Sequence, residues 1–537
     1  MKLKDNKEFN NTPKQFLLPL FLALTLAIGF YLGARITNSI TPQNENSYNV
    51  KRSGFTKLND ILSYIEHEYV DSVDRNALEE IAIETLLQEL DPHSVYIPPQ
   101  ELAMMNEPLE GNFDGIGIEF RIQKDTITVV NPIVGGPSEE LGIQSGDRIV
   151  RVDTQNVAGI GVTNRNVMDL LRGERGSKVK VFVARNGLKD ILEFEITRDK
   201  IPIYSVDVAY MINDTIGFVK ITRFAKTTYE EFVKAVETLQ SKGMTNLILD
   251  LRGNGGGMMD AAINIVDEFL EKGKMIVYTE GKARPRKNYY STDKSLLNQT
   301  KVAVLIDEGS ASASEIVAGA LQDNDRGTII GRRSFGKGLV QEPSSWPDGS
   351  ALRLTIARYY TPTGRSIQKP YGNGTKSYYE DYYNKLEFEA WELESANFPD
   401  SLKYTTPAGK IVFGGGGILP DIFVPIDTSG RSIYYTELVY LGVFRQFSFD
   451  YADQNREYLL SLGSYENFEV SDDILNDFIK VGEQKGVLFD VSQFDISKAS
   501  IRNRLRANIV SHIWKNEGFY PVIHENDKVV KRALREI

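Results

Sequence analysis

The sequence predicts a multidomain α/β protein with helical segments at both ends. Three observations carry that expectation. At 537 residues the chain is too long for one ordinary core, so roughly three or four folding units are expected. Apolar spacing changes near Gly111, from the three–four rhythm of helices to short strands. Beyond about residue 200 strands and helices alternate, the pattern of a core sheet covered by helices.

Composition narrows the class. A hydrophobic content of 41% with 25% charged residues is that of a globular protein. The net charge of −11 disfavours nucleic acid as a partner, because phosphate binding needs a basic surface. Cysteine is absent, which removes disulfides, thiolate metal sites, a cysteine nucleophile and a lipid-modified cysteine. There are four histidines, His67, His93, His512 and His524.

The N-terminus carries Lys2, Lys4, Lys7 and Lys14 ahead of the uncharged run "FLLPLFLALTLAIGFYLGA", Phe16 to Ala34. A helix of that length spans about 28 Å, enough for a hydrocarbon core of roughly 30 Å. The lysines are expected to stay inside and the remainder to be exported. No small-x-small site follows, so an uncleaved signal anchor is favoured over a signal peptide. Residues 1–48 are thus read as anchor and linker. Residues 49–110 are a helical region, with "FTKLNDILSYIEHEYV" and "NALEEIAIETLLQEL" at helical spacing and "DPHSVYIPPQE" as a proline-rich break. Residues 111–199 form a β-rich module, built from "GIGIEFRI", "TITVV", "DRIVRV" and "KVKVFVAR". Residues 200–435 form the α/β core, and 436–537 a helical extension without a readable motif.

Chemistry concentrates in three stretches of the core. In "EGSASASEIVAGAL" (Glu308–Leu321) a strand ends and a helix starts near Ser312. A helix N-terminus favours developing negative charge, which suits a nucleophile whose attack creates an oxyanion. The inert alternative is a capping box, Ser312 at the cap and Glu315 three residues on. The second stretch, "DLRGNGGGM" (Asp250–Met258), lets glycines bring backbone N–H groups close to a ligand. It fails the dinucleotide fingerprint, which would need glycine where Met258 stands.

The third, "GRRSFGKGLVQ" (Gly331–Gln341), nearly matches a phosphate-binding loop. Gly338 stands where a magnesium-binding hydroxyl belongs, and a strand follows in place of a helix. On a strand, Lys337, Leu339 and Gln341 would share one face. A lysine can act as general base if burial lowers its pKa from about 10.4 toward neutrality. Gln341 could then orient the amine. The bland alternative for Lys337 is a solvated loop lysine.

Together with "ALRLTIARYYTPTGRSIQ" and "GGGGILPDI", these segments resemble the carboxyl-terminal processing peptidases, or tail-specific proteases, over about Phe55 to Pro425. The resemblance implies a crotonase-like ββα protease core in which Ser312 is the nucleophile, Lys337 the general base and Gln341 its support. It implies an oxyanion hole from the amides of Ala313 and of Gly256 or Gly257. It also implies that the β-rich module is a PDZ domain, whose loop Gly115, Ile116, Gly117 and Ile118 captures a peptide's terminal carboxylate. No metal, nucleotide or other cofactor is implied. The expected protein is an exported serine endopeptidase on the periplasmic side of the inner membrane, anchored by residues 16–34. Its partners would be protein substrates with exposed C-terminal tails, the membrane, and a second copy or an activating adaptor. Rival readings are an inactive PDZ scaffold that binds tails without cutting, and a related β-lactam- or ester-active enzyme. Residues 373–404 form an aromatic, acidic insertion of unknown role.

Overall fold

The structure, a computed structural model, describes residues 57–372, 374–380 and 399–537, with positions 23, 25 and 29. The expected anchor, 16–34, lies outside the described residues apart from those three positions, as do residues 381–398 of the insertion. Among the described residues no helix is long and apolar enough to cross a membrane. The chain divides into two units, residues 1–79 and 80–537.

In the first unit, α1 (Lys57–Glu68) leads to the start of α2 (Arg75–Gln88). Arg75 joins them, donating to Asn59 Oδ1 at 2.6 Å, Ser63 Oγ at 3.0 Å and Glu66 Oε2 at 3.1 Å.

The second unit begins with the rest of α2, then β1 (Val95–Ile97) and α3 (Pro99–Glu110). The proline-rich stretch thus breaks one helix and starts another. Pro99 stands in the first turn, where its missing N–H is not needed, and Gly111 closes the helix at φ 74°.

The β-rich module follows: β2 (Asn112–Gly115), β3 (Ile118–Gln123), β4 (Thr126–Pro132), α4 (Pro137–Glu140), β5 (Arg148–Val152), β6 (Gln155–Asn156), α5 (Asn164–Leu171), β7 (Lys178–Ala184), β8 (Leu192–Thr197) and β9 (Asp199–Pro202). Its sheet runs β3-β4-β5-β7-β8, leaving β3 at an edge, and β2 pairs with β9 across the module's two ends. Alternate residues Ile118, Ile127, Val129, Ile149 and Val181 point inward onto Val167 and Leu171 of α5.

The core sheet has the order β10-β11-β12-β15-β16-β21 (Val206–Met211, Ile216–Ile221, Asn246–Asp250, Lys301–Ile306, Thr328–Gly331, Ile422–Phe423). β10 is antiparallel and the others parallel. Its middle strands are buried on both faces, which is why "NLILDL" and "KVAVLID" read as continuous apolar runs. One face, with Val219, Leu249 and Val304, packs on α6 (Thr228–Ser241), α7 (Met259–Asp267) and α8 (Ala313–Asp323). The other, with Phe218, Ile248, Ala303 and Leu305, is covered from the C-terminal end of the chain by Val529, Val530 and Ala533.

A second sheet, not foreseen from the sequence, joins β1, β13 (Met275–Gly281), β14 (Arg284–Tyr290), β17 (Leu339–Ser345) and β18 (Ala351–Tyr360). β18 carries β17 on one edge and β1 and β13 on the other. A small hairpin, β19 (Lys403–Thr405) and β20 (Ile411–Phe413), precedes β21. The C-terminal extension is helical: α9 (Ile433–Tyr440), α10 (Val443–Gln454), α11 (Arg456–Ser461), α12 (Asp472–Gln484), α13 (Val491–His524) and α14 (Lys528–Ala533). Its own core is aromatic-rich, with Phe444, Phe447, Phe468 and Phe478.

Candidate active site

The parallel strands β12 and β15 are neighbours and end level with each other, Asp250 beside Leu305. The loops that follow them meet outside the carboxyl ends of the sheet, where ligand sites of open α/β sheets form. They are fastened together: Asn254 O accepts from Ala311 N and Ser314 Oγ, each at 2.9 Å, and Ser310 Oγ donates to Leu251 O at 2.9 Å. Asp250 itself is committed to structure. Against its burial, Arg252 and Lys220 hold its carboxyl well below the usual range.

Ser312 stands at the turn into α8 with φ 53° and ψ −111°. Such a backbone is strained for a residue with a Cβ and persists only where its surroundings fix it. Here they do. A Cβ placed on Gly256 would meet Ser312 Cβ at 2.7 Å and Ala313 N at 2.9 Å, so glycine is required for the two loops to touch.

The two glycines differ in what their amides do. Gly256 N donates to Asn254 Oδ1 at 2.9 Å. Gly257 is flanked by bonds from Gly256 O and Met258 N to the backbone of Phe224, the pattern of a parallel bridge. In that pattern the N–H of Gly257 faces the opposite way, and among the described residues it has no acceptor. Ala313 N, the first amide of α8, likewise has none among them.

Glu315 is more than a capping partner. It is fully buried, and its Oε2 accepts from the amides of Ser312 at 2.8 Å and Lys337 at 2.9 Å. Its Oε1 accepts from Ser334 Oγ at 2.6 Å and Gly336 N at 2.7 Å. Tyr359, on β18, adds a second link: its hydroxyl lies 2.7 Å from Lys337 O and 3.1 Å from Ser312 O. The serine turn and the lysine turn are thus bound through two buried side chains.

Lys337 does not lie on the strand as the sequence suggested; β17 starts at Leu339. On a regular strand, residues four apart are separated by about 13 Å. Lys337 instead sits in the preceding turn, and the β17–β18 pairing slips between Val340 and Gln341. Lys337 Nζ thereby donates to Gln341 Oε1 at 3.0 Å. Burial pushes the pKa of Lys337 below the ordinary lysine value and Arg353 adds to the fall, while Asp91 and Glu315 oppose it. No hydrogen bond joins Lys337 to Ser312 among the described residues.

The proline-rich stretch supplies a further layer. Gln341 Nε2 donates to His93 O at 2.5 Å, which fixes the amide so that its oxygen faces the lysine. Asp91 shapes that turn, accepting from His93 N at 2.8 Å, Ser94 N at 2.9 Å and Ser94 Oγ at 2.6 Å. The His93 ring meets Tyr378 OH at 2.9 Å, and burial lowers its pKa to about 4, so it is neutral. Of the residues singled out in the sequence, Lys337 and Gln341 are in contact and Ser312 and Lys337 share Glu315, while Asp91, His93 and Tyr359, which pack around them, were not singled out. Nothing local marks Tyr359, whereas the Asp-Pro-His-Ser turn was a visible but unread signal.

In the β-rich module, Gly115, Ile116, Gly117 and Ile118 join β2 to the edge strand β3. Ile116 O accepts from Ser138 N and Oγ, and Gly117 O from Ile133 N. The amides of Ile116 and Gly117 have no acceptor among the described residues, and Gly117 adopts φ 77°.

Sequence comparison places these features among known proteins. Residues 215–376 match the family described as Peptidase family S41, 115–196 match the PDZ domain, and 24–100 match the activating protease CtpB N-terminal domain. Residues 434–515 match a family of unknown function, DUF8443. The carboxy-terminal-processing protease of Bartonella bacilliformis is 36% identical over 358 residues, 66% of this chain and 79% of that protein. The carboxy-terminal processing protease CtpA of Bacillus subtilis is 34% identical, over 66% of this chain and 76% of its own length. Among solved structures, the photosystem II D1 C-terminal processing protease is 32% identical, with TM-score 0.34, over 58% of this chain and 83% of that one.

Proposed function

Because the chain belongs to the S41 family of carboxy-terminal processing proteases, we propose that it is an endopeptidase that binds a protein's C-terminal tail and cuts it with a Ser312–Lys337 dyad. The observation that carries this reading is the shared suspension of Ser312 and Lys337 from Glu315 Oε2, with Gln341 on the lysine amine. Such an arrangement fixes the nucleophile and the base relative to each other, while burial, helped by Arg353, lowers the lysine pKa against the opposing charge of Glu315.

In the mechanism, neutral Lys337 takes the Ser312 hydroxyl proton as Oγ bonds to the scissile carbonyl carbon. That contact closes in the substrate complex, as catalytic hydrogen bonds commonly do. The tetrahedral oxyanion is received by the amides of Ala313 and Gly257, the two left without acceptors, rather than by the Gly256 amide, which Asn254 occupies. Protonated Lys337 gives its proton to the leaving amine as the C–N bond breaks. Water, deprotonated by the same amine, then releases the acyl group from Ser312.

The PDZ domain is the tail receptor in this reading. The amides of Ile116 and Gly117 receive the terminal carboxylate, and the tail adds as a strand to the free edge of β3. The enzyme acts after export, on the periplasmic side, held by residues 16–34. Leu58, Ile61 and Tyr64 of α1 are exposed and are a contact for a second copy or an adaptor.

The test is cleavage of an unfolded protein with an apolar C-terminus, followed on gels with wild type and Ser312→Ala. Cleavage by wild type alone supports the reading. Tail binding without cleavage under any condition, including added tail peptide, would establish the scaffold instead.

A further inference from the structure

The outer face of the PDZ sheet is open at β7 and β8 but meets the C-terminal extension at β3 and β5, where Arg148 pairs with Asp453 of α10 at 3.2 Å and Gln123 Nε2 donates to Asp450 Oδ1 of α10 at 3.3 Å. Between the two lies a cavity of about 290 Å³, bounded by Glu119 and Arg121 of β3, Asn131 of β4, Arg445 and Ser448 of α10, and Lys515 of α13.

Three features of this cavity point to an anionic side chain as its occupant. Burial lowers the pKa of Arg121, Glu119 opposes the fall, and Arg445 stands close enough to add to it. Neither guanidinium has a carboxylate within ion-pair distance among the described residues; Arg445 is exposed, whereas Arg121 is half-buried, and a half-buried cation without a partner is costly. Lys515 reaches only Glu139, at 3.8 Å, and Glu119 is exposed at the rim. Second, Ser448 is fully buried and its hydroxyl has no partner among the described residues. Third, Lys515 holds φ 51° and ψ −142° inside an otherwise helical segment, a strain placed at this wall and nowhere else in α13.

Strand geometry connects the cavity to the tail. Along β3, Ile118, Phe120 and Ile122 face the domain core, so Glu119, Arg121 and Gln123 face outward. A tail paired to the free edge of β3 alternates in the same way. With its carboxylate at Ile116 and Gly117, the last side chain enters the groove between β3 and α5, and the second- and fourth-from-last turn to the outer face. Resting on the tail-binding reading above, we propose that the C-terminal extension completes a second specificity subsite, in which Arg121, Arg445 and Lys515 select substrates carrying acidic side chains at the second- and fourth-from-last positions.

The experiment uses the full chain carrying Ser312→Ala and fluorescent ten-residue peptides with one apolar terminal residue. One peptide has glutamate second and fourth from the end; an isomer has them third and fifth, so total charge is equal; a third has alanine throughout. The proposal expects the first peptide to bind about three- to tenfold more tightly than its isomer. It also expects Arg445→Glu to reverse the preference toward lysine at the same two positions, a gain that a misfolded variant cannot mimic. Equal binding of the two isomers, with the alanine peptide also bound, overturns the subsite and leaves the tail receptor standing. Binding of none of the peptides overturns both.

Discussion

Ser312 and Lys337 hang from one atom: their backbone amides donate to the same Glu315 oxygen, at 2.8 and 2.9 Å. Four donors converge on this buried carboxylate, so its negative charge and its acceptor geometry are both in use. Glu315→Gln replaces one acceptor oxygen with an NH₂ that faces donors. The variant is expected to lose about 3 kcal/mol of stability, read as a lower urea midpoint, and to lose turnover with it. A wild-type midpoint would contradict the role given to Glu315.

In the proposed mechanism, removing either Ser312 or Lys337 should be severe. Ser312→Ala and Lys337→Ala are each expected to reduce turnover by a factor of about a hundred or more, with tail peptides still bound. An active Lys337→Ala enzyme would remove the lysine from the mechanism.

The pH dependence follows from the direction of the lysine shift. A base must be neutral, and Lys337 is neutral at lower pH than an ordinary lysine, so kcat rises with pH through an apparent pKa below about 10.4. Arg353 contributes to that lowering. Arg353→Gln should therefore raise the apparent pKa and weaken activity near neutrality, with recovery in more alkaline buffer. A rate limb that does not move would show that another group titrates.

Asp91 acts on the amine at one remove, through the His93 carbonyl and Gln341. Asp91→Ala is expected to cut kcat roughly tenfold at unchanged KM, and Asp91→Asn less, because the amide oxygen still accepts the backbone bonds. Both remove a negative charge that supports the protonated lysine, so both should shift the rate limb toward lower pH. A change in KM alone would place Asp91 in substrate binding.

Buried histidines lower the stability of the folded chain in acid. His512 titrates near 4 in the folded chain, lowered by burial and then by Arg121 and Arg456. The unfolded chain binds its proton nearer 6.5, so stability is full above that value and falls as pH drops toward 4. His512→Gln is expected to flatten this fall by at most roughly 1.4 kcal/mol per pH unit. Denaturant titrations from pH 7 to 4 measure it; parallel curves for variant and wild type would count against the assignment.

Much of the architecture was legible because local pattern and tertiary environment agree. Doubly buried strands such as Asn246–Asp250 carry an unbroken apolar middle, Leu247–Leu249, and α5 and α6 announce themselves by spacing. The second sheet was not, since β14 and β17 are mostly exposed and polar and depend on pairing to β13 and β18. At the site, residue pattern alone left Ser312 as a cap or a nucleophile and Lys337 as a base or a solvated lysine, and the roles proposed for them and for Gln341 came from the resemblance to the carboxyl-terminal processing peptidases. Asp91 and Tyr359 could not be read in this way, because they reach the surroundings of Ser312 and Lys337 from remote segments brought in by β1 and β18. The strand assignment of Lys337 failed for a steric reason: direct contact with Gln341 requires a turn and an irregular pairing that period-two reasoning does not contain.

The contact of the C-terminal extension with the outer PDZ face has a mechanical meaning. The same extension that touches the PDZ domain through Arg148–Asp453 and Lys515–Glu139 is fixed to the protease core, where Asn516 donates to Asp207 Oδ1 at 2.9 Å and Arg252 pairs with Asp527 at 2.8 Å. A receptor braced in this way cannot swing alone; it moves with its strut or must let go of it. The joint on the PDZ side is polar and ionic rather than greasy, so dissolved salt loosens it while the aromatic interior of the strut stays intact. Ionic strength thus becomes a dial on how freely the receptor is carried over the cutting site.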